Sequence, residues 1–523
     1  MAFTASDQKE FDMSLETGTT SPVDNNLDAE QRSIAPTSSD TDVEGKKDVS
    51  PYPPPKTFPH EIAFVTVVCA AQLMTQSGLA LSIAPLAEIS ASFNSTSRDL
   101  TWASAAYSLT VGTFILVSGR LGDVYGHRLI FIIGFAWFAL WSLLAGFAVW
   151  SNPRFFDCCR AFQGIGPALL LPNAVAILGR TYPPGQRKGM VFCLFGAVAP
   201  GGFILGATFS SLIAERLWWP WAYWICAIAC AIFAVLGFLV IPYMPQEKPR
   251  PELSTFARLD ALGGMLGVSG LILINVAWNQ AAMVGWAVPY TYVLLIAGLI
   301  IVGLFLYVEG KAAHPLLPRS VFKGETGWVL GCMCAGWSSF GIVVFYYYAI
   351  MTNVESNTGL LVTAKWAGAA LSGAIAAVTT GVLLARLPAC VIMFLAMLAF
   401  SAGQALLASM PMGQIYWANA FLITILTPWG MDMSFPSGIL ILSNAMPAED
   451  QGVAGSLVTT VVNYSISMGL GFAGTVETYV NDNGDNILKG YRGASYMGVG
   501  FAGLGVIVAS CFMFVTWRAS REK

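Results

Sequence analysis

The sequence has few charged residues for its length. Only 11% of its 523 residues are Asp, Glu, Lys or Arg, whereas 55% are hydrophobic. A soluble domain carries about 25% charged residues, and a soluble fold of this size needs polar surface to cover its core. The shortage of charge therefore indicates that much of the chain faces the lipid bilayer. The formal net charge of −3 is too small to indicate a nucleic-acid partner.

Several functional signatures are also missing. The ten cysteines lie in apolar runs and form no disulfide-like framework in a loop. Cys332 and Cys334 form a C-x-C without a Cys/His cluster beside them, so we expect neither a metal nor a cofactor. The pattern G-x-x-x-x-G-K-[ST] is absent, which argues against direct drive by ATP. No apolar segment typical of a cleavable signal peptide precedes residue 62, and no loop is long enough to hold a catalytic domain.

Long apolar runs dominate the sequence from residue 62 onward. A helix needs about 20 such residues to cross the hydrocarbon layer. Fourteen runs reach this length: 62–86, 100–118, 129–150, 154–179, 189–213, 218–242, 257–279, 289–309, 327–352, 358–386, 388–410, 414–445, 452–477 and 493–518. The sequence therefore predicts an all-α polytopic membrane protein with fourteen transmembrane helices.

The runs divide the chain into five parts. Residues 1–61 form a polar tail that cannot bury enough apolar surface to fold, so we expect it to be disordered. A first six-helix bundle spans 62–242, and the linker 243–326 carries the two extra helices. A second six-helix bundle spans 327–518, and 519–523 form a short tail.

Positive charges predict the orientation. If the N-terminus is cytoplasmic, the inner loops and C-terminal tail hold fifteen lysines and arginines, whereas the outer loops hold five. This bias supports cytoplasmic termini. We expect a monomer in the plasma membrane, with a vacuolar or vesicle membrane as the alternative. The tripeptide Asn94-Ser95-Thr96 then falls outside, where Asn94 could carry a glycan.

A charged turn connects the second and third spans. It reads GRLGDVYGHR, residues 119–128. Gly119, Gly122 and Gly126 permit a tight backbone path and close helix contact. Asp123 could accept hydrogen bonds from Arg120 or Arg128, or from the exposed amides at the start of a neighbouring helix. Such a cluster could latch two groups of helices together, which a transporter needs as access alternates between its two faces.

This turn resembles the G-x-L-x-D-x-x-G-x-[RK] signature of the major facilitator superfamily, which also lies between the second and third helices. RAFQGIGPA, residues 160–168, resembles the R-x-x-Q-G-x-G-x-A pattern of drug:proton antiporters. Fourteen spans and the stretch GAVAPGGFILGATFSSL are similar to the fourteen-span antiporters of the fungal aminotriazole-resistance and boron-efflux group. The resemblance implies the fold of that superfamily and transport of a small molecule against protons.

The sequence departs from this family in two places. The fifth-span pattern G-P-x-x-G-G is altered, since Ala199 precedes Pro200, and Phe203 and Ile204 replace the last two glycines. Gln76 stands nine residues before Pro85, where many members have an aspartate. A neutral amide cannot carry a proton, so coupling must use another residue.

Asp432 is the strongest candidate for proton coupling. It lies near the middle of the twelfth span, between Pro428 and Pro436, which we expect to break the helix where it lines a cavity. A charge at that depth is costly and therefore indicates function, although a neutral structural Asp is the alternative. Arg160, with Asp157 three residues earlier, is a candidate proton relay or, alternatively, a fixed ion pair that braces the bundle.

Neutral polar and aromatic side chains are candidates for the substrate cavity between the bundles. They are Gln72, Gln76, Gln163, Asn173, Tyr346, Trp429 and Asn463. Several of the amides are expected to join helices instead. Such a cavity suits an organic toxin, drug or secondary metabolite.

The sequence therefore predicts a proton-coupled efflux transporter whose partners are a small-molecule substrate, protons and the bilayer. An uptake permease or facilitator for ammonium or borate on the same fold is the first alternative. A membrane receptor that transports nothing is the second, which the short C-terminal tail disfavours.

Overall fold

A computed structural model describes residues 57–95, 101–182, 186–243, 260–312, 315–317, 324–445 and 451–521. Helices account for all the regular secondary structure in these ranges. Most of the predicted N-terminal tail, much of the 243–326 linker and Thr96 of the sequon lie outside the described residues.

The first half of the chain folds into seven described helices: α1 (Phe58–Ile83), α2 (Leu86–Ser92), α3 (Thr101–Tyr125), α4 (His127–Phe147), α5 (Pro153–Thr181), α6 (Gln186–Arg216) and α7 (Pro220–Val240). Two helices follow, α8 (Ala261–Val284) and α9 (Pro289–Glu309). The remaining described helices are α10 (Thr326–Asn353), α11 (Gly359–Trp366), α12 (Gly368–Leu384), α13 (Ala389–Ala408), α14 (Asn419–Ala445), α15 (Gln451–Val480) and α16 (Ile487–Arg521).

Each predicted span corresponds to a described helix, except that the tenth comprises α11 and α12. In the described part of the chain, thirteen helical segments are long and apolar enough to cross a membrane, with α11 and α12 counted as one. The fourteenth, α14, has 27 residues but is less apolar because its middle carries Pro428, Asp432 and Pro436. The prediction of an all-α membrane fold with about fourteen helices is confirmed.

Local sequence explains where several helices begin. Proline occupies the first position of α5, α7 and α9, where its missing N–H would have no helical partner. Asn152 caps α5 by accepting a hydrogen bond from the Phe155 N–H, and Asp260 caps α8 in the same way through Gly263. Asp260 and Gly126 both have positive φ angles, so the chain turns sharply before α8 and before α4.

The helices pack as two groups with a pair beside them. In the first group α3 and α4 pack on α5, and α1 packs on α6 and α7. In the second, α14 packs on α12 and α13, and α10 packs on α15 and α16. The groups meet where α3 packs on α15 and where α6 packs on α11 and α12. The α8–α9 pair lies against α3 and α15 through α8. The predicted bundle boundaries at 242 and 327 stay predictions.

The structure corrects one expectation about helix breaks. Pro428 and Pro436 lie inside a continuous α14. Ser372 of α12 donates a hydrogen bond of 2.6 Å to the carbonyl of Ile425, one turn before Pro428. The carbonyl that Pro428 leaves without a helical donor is that of Thr424, one residue earlier, and membrane helices tolerate proline because neighbouring groups can satisfy such carbonyls. A break does occur at Ala367, between α11 and α12.

Candidate functional site

The polar residues that sequence analysis singled out lie in three zones. We call the end of the bundle where α1 begins the terminal end, and the opposite end the far end. The charged turn between α3 and α4 lies at the terminal end, and Arg160 of α5 lies towards the far end. Asp432 lies midway along α14, between the two groups of helices.

Asp123 in the charged turn pairs with partners that sequence reasoning did not name. Its carboxylate lies 3.2 Å from the guanidinium of Arg180, at the end of α5, and 3.4 Å from Nε2 of His127. The expected pairing with Arg120 or Arg128 is therefore wrong. Arg180 is 57 residues away in sequence, so no local pattern could identify it.

The two arginines of the turn bind backbone carbonyls instead. Arg120 donates a hydrogen bond of 2.7 Å to Pro315, in the connection after α9. Arg128 donates to the carbonyl of Phe238 in α7 and also lies over its ring, 5.1 Å from the centroid. The turn thus ties α3 and α4 to α7 and to the segment that follows the extra helix pair.

Asn173 of α5 supports the charged turn through its hydrogen bonds. It is fully buried; its Oδ1 lies 2.8 Å from Nδ1 of His127, and its amide donates to Ser118 and to the Leu169 carbonyl. A Cβ placed on Gly122 would lie 1.9 Å from Oδ1 of Asn173, so only glycine fits there. These contacts occupy the side-chain amide of Asn173. Its predicted place in the wall of the substrate cavity stays a prediction.

Arg160 forms the centre of a fully buried polar cluster. Its guanidinium donates to the Gly78 carbonyl at 2.8 Å, to Ser82 at 3.1 Å and to the side chain of Gln163. Gln163 in turn donates to Ser142 at 2.6 Å. The cluster joins α1, α4 and α5 through one cation.

An aromatic ring also faces the Arg160 guanidinium. The ring centroid of Tyr107 lies 4.5 Å from it, a cation–π arrangement. Asp157 lies buried one turn earlier on α5. Its predicted pairing with Arg160 and the proton-relay role of both residues stay predictions.

The glycines of RAFQGIGPA permit this close packing. A Cβ on Gly164 would lie 2.2 Å from Oγ1 of Thr110, and one on Gly166 would lie 2.6 Å from Cβ of Phe138. Larger residues would push α5 away from α3 and α4. The motif therefore has a structural reason here, which is the approach of three helices around Arg160.

Asp432 lies where the two groups of helices meet. Its Oδ2 is buried and forms no hydrogen bond within the described residues, while the residue as a whole is half-buried. A Cβ placed on Gly373 of α12 would lie 3.0 Å from that oxygen and 3.5 Å from Cγ of Pro200 in α6. The carboxyl of Asp432, in the second group of helices, therefore lies close to α6 of the first group.

The other predicted cavity residues divide into two sets. Gln72, Gln76, Trp429 and Asn463 are half-buried, as side chains that line an internal space would be. Tyr346 is fully buried and donates a hydrogen bond of 2.7 Å to Glu477. Its ring packs inside the second group, and its predicted contact with substrate stays a prediction.

A contact at the far end was not found from the sequence. Glu215, at the end of α6, accepts a hydrogen bond of 2.7 Å from the Leu360 N–H at the start of α11. A Cβ on Gly359 would lie 2.7 Å from the Ala84 carbonyl, so the two groups of helices touch here. In α2, burial and, to a lesser degree, Glu215 raise the pKa of Glu88.

Comparisons with known proteins agree on a transporter. The profile of the Major Facilitator Superfamily matches residues 66–469. The low affinity ammonium transporter of Saccharomyces cerevisiae is 55% identical over 473 residues, which cover 90% of this chain and 92% of that protein. The efflux pump terJ of Aspergillus terreus is 48% identical, with coverage of 89% and 90%. The aminotriazole resistance protein of Saccharomyces cerevisiae is 38% identical, with coverage of 88% and 86%.

Solved structures support the fold. A peptide transporter, POT, in complex with sulfate superimposes with a TM-score of 0.65 over 90% of this chain and 98% of that chain, at 13% identity. Similarity at this level concerns the fold alone. The profile match over most of the membrane helices and the relatives above identify the chain as a transporter and a member of the major facilitator superfamily, in a group that includes fungal efflux pumps.

Proposed function

We propose that this protein exports a small organic molecule in exchange for protons, with Asp432 as the residue that carries the proton. Asp432 supports the proposal most strongly. It is the acid midway along a membrane helix, whereas Glu61, Asp157, Glu215 and Glu477 lie near helix ends. An ionisable side chain at such depth is costly unless it has a function.

The proposed substrate site lies between the bundles 62–242 and 327–518, near the middle of the membrane. The half-buried amides of Gln72, Gln76 and Asn463 offer neutral hydrogen bonds, and Trp429 offers an aromatic face. A protonated Asp432 adds no net charge, so the cavity suits an uncharged or weakly basic organic molecule. The efflux pump terJ and the aminotriazole resistance protein support this substrate class by similarity.

Alternating access would use contacts at both ends of the bundle. At the terminal end, Arg120 of α3 reaches the segment after α9, outside the first group of helices, whereas the Asp123–Arg180 pair joins α3 to α5 within that group. At the far end, Glu215 links α6 to α11. Export requires these two sets of contacts to form and break in turn, while the buried Arg160 cluster keeps α1, α4 and α5 together as a rigid unit.

We place the terminal end in the cytoplasm and the protein in the plasma membrane. The excess of lysine and arginine in the loops at this end supports that orientation. The far end, with Asn94, then faces outside. Asn94 is exposed and follows α2 directly, as a glycan acceptor would need.

Ammonium transport is a second candidate function. The 55% identity to the low affinity ammonium transporter favours it. Asp432 could then attract an ammonium ion or exchange a proton with it, and the expected direction is uptake. Direction therefore separates the two candidates.

Expression in two yeast strains tests both functions. One strain lacks its own efflux pumps and is challenged with aminotriazole and a panel of fungal toxins; the other cannot take up ammonium and grows on limiting ammonium. Export predicts resistance and lower retention of one toxin, with loss of both in Asp432→Asn but not in the exposed control Asp485→Asn. Rescue of ammonium growth without toxin resistance would support uptake and refute export.

A further inference from the structure

Gly373 brings the Asp432 carboxyl against two helices at once. A Cβ at position 373 would lie 3.0 Å from Oδ2 of Asp432, which is tighter than ordinary contact, and 3.5 Å from both Pro200 and Pro428. The constraint is space, because Gly373 lies inside the regular helix α12. A Cβ here would therefore press on the Asp432 carboxyl, whereas its distance to Pro200 and Pro428 is that of ordinary contact.

The atoms that lie nearest to a Cβ at position 373, beside Oδ2, offer no hydrogen-bond donor. Gly373 has no side chain, and Pro200 and Pro428 have no backbone N–H. The oxygen is buried and has no partner within the described residues. A carboxylate withdrawn from water without donors is strongly disfavoured, whereas the neutral acid tolerates such surroundings.

Charged side chains do not offset the cost of burying the Asp432 carboxylate. Oδ2 of Asp432 has no hydrogen-bond partner and forms no ion pair in the described part of the chain. The helix α12 has no titratable side chain, and α14 has none besides Asp432. The helices that pack on α14, together with α6, carry the remaining titratable groups near this region: Cys332, Cys334, Tyr346, Tyr347, Tyr348, Lys365, Cys390, Tyr464, Glu477, Tyr479, Arg187, Lys188, Cys193, Glu215 and Arg216.

Pro200 belongs to the first group of helices, whereas Gly373 and Asp432 belong to the second. Oδ2 and the Pro200 ring both lie beside the Gly373 position, so the burial of this carboxyl oxygen depends in part on the packing of α6 against α12. When the groups part, water can reach the carboxyl, and its charged form is no longer disfavoured. The protonation of Asp432 and the distance between α6 and α12 must then depend on each other.

We propose that Gly373 is a positioning residue that keeps Asp432 neutral while α6 and α12 are packed, so that separation of these helices releases the proton. The proposal rests on the proton exchange proposed above and adds the contact that links it to helix movement. It also explains why a glycine occupies this face of α12. Dicyclohexylcarbodiimide tests it without a known substrate, because this reagent modifies protonated carboxyls in apolar surroundings.

The experiment measures modification of Asp432 by mass spectrometry, as a function of pH, in the full-length protein. Gly373→Ser adds a hydroxyl that can donate to Oδ2 and stabilise the charge. A hydrogen bond to a charged group, worth about 1.5 kcal/mol, corresponds to a shift of about one pH unit. We expect the midpoint of modification to move by that amount towards acid. Gly381→Ser is the matched control, since a Cβ there meets nothing within 4 Å, and its midpoint should equal that of the wild type.

Gly373→Ala adds bulk without a donor. We expect it to push the Asp432 carboxyl out of the space beside Gly373 and towards water, because the new Cβ is tight against Oδ2 but in ordinary contact with Pro200. Modification at neutral pH should fall by about tenfold, the equivalent of about 1.4 kcal/mol. Gly381→Ala should leave modification unchanged. Spin labels on α6 and α12 should report the wild-type distance in Gly373→Ala, which separates this effect from misfolding.

The outcomes distinguish this inference from the proposed function. If both Gly373 variants match the Gly381 controls while Asp432→Asn abolishes proton-coupled transport of aminotriazole or ammonium, Gly373 has no positioning role and the proposed function stands. If Asp432→Asn keeps proton-coupled transport, the proposed function itself fails.

Discussion

Gly122→Ala should be among the most damaging single-methyl changes in the terminal-end turn. The new Cβ would lie 1.9 Å from Oδ1 of Asn173 and 2.4 Å from Nδ1 of His127. Neither side chain can withdraw easily, because both are buried and bonded to each other at 2.8 Å. The methyl group therefore breaks the bond between them and displaces the Asn173 amide from Ser118.

The cost follows from those two bonds. A buried hydrogen bond that is broken and left unsatisfied costs about 1–3 kcal/mol, so two cost about 2–6 kcal/mol. Alanine recovers about 1 kcal/mol through its higher helix propensity. We expect a net loss of about 1–5 kcal/mol in the free energy of unfolding, which thermal unfolding of the purified protein in detergent measures, together with transport by the surface-expressed fraction.

Gly119→Ala is the control for this change. Gly119 belongs to the family signature, whereas Gly122 does not, yet a Cβ on Gly119 would meet only Oγ of Ser456 at 3.8 Å. We expect little change in stability. Equal destabilisation by both variants would refute the packing argument and would indicate that the signature glycine matters for another reason.

Three further variants test other contacts. Arg160→Lys cannot contact Gly78, Ser82 and Gln163 together, because lysine lacks the planar fork of arginine; transport should fall by at least about tenfold, and wild-type rates at equal surface expression would contradict the cluster. Glu88 has a raised pKa in the folded protein, so its contribution to stability is full below the ordinary glutamate value and is lost as pH rises through the folded value. Melting curves of Glu88→Gln should therefore show a higher melting temperature than wild type at neutral pH and equal values in acid, and the same difference at every pH would contradict this assignment. Asn94→Gln should remove the gel-mobility shift that a glycosidase removes from the wild type, and a shift that persists would exclude Asn94 as the acceptor.

Hydropathy predicted the membrane helices well because each helix must satisfy its own backbone in lipid. Length and apolar content are local properties, so the order and approximate bounds of the fourteen spans could be inferred from the sequence. The break at Ala367 could not. It lies in an apolar run, and the Tyr416 hydroxyl donates to the carbonyl of Lys365 nearby, a contact between distant parts of the chain.

The candidate site shows the same difference. Asp432 stood out in the sequence because a lone acid in an apolar run is unusual. Its neighbours Gly373 and Pro200 did not, since each belongs to another helix and neither carries a functional group. Likewise, the Asp123 partners were misjudged because Arg180 arrives from α5. A motif indicates which residues matter, whereas their partners depend on the helix packing.

Proton movement across proteoliposomes tests proton exchange through Asp432 most directly. Purified protein is reconstituted with a pH-sensitive dye inside, and the transported compound identified in yeast is added outside. As substrate enters, the wild type should make the lumen more alkaline because protons leave in exchange, whereas Asp432→Asn should exchange labelled substrate across the membrane without a dye signal. A proton signal of wild-type size from Asp432→Asn, or substrate movement without protons by the wild type, would contradict it.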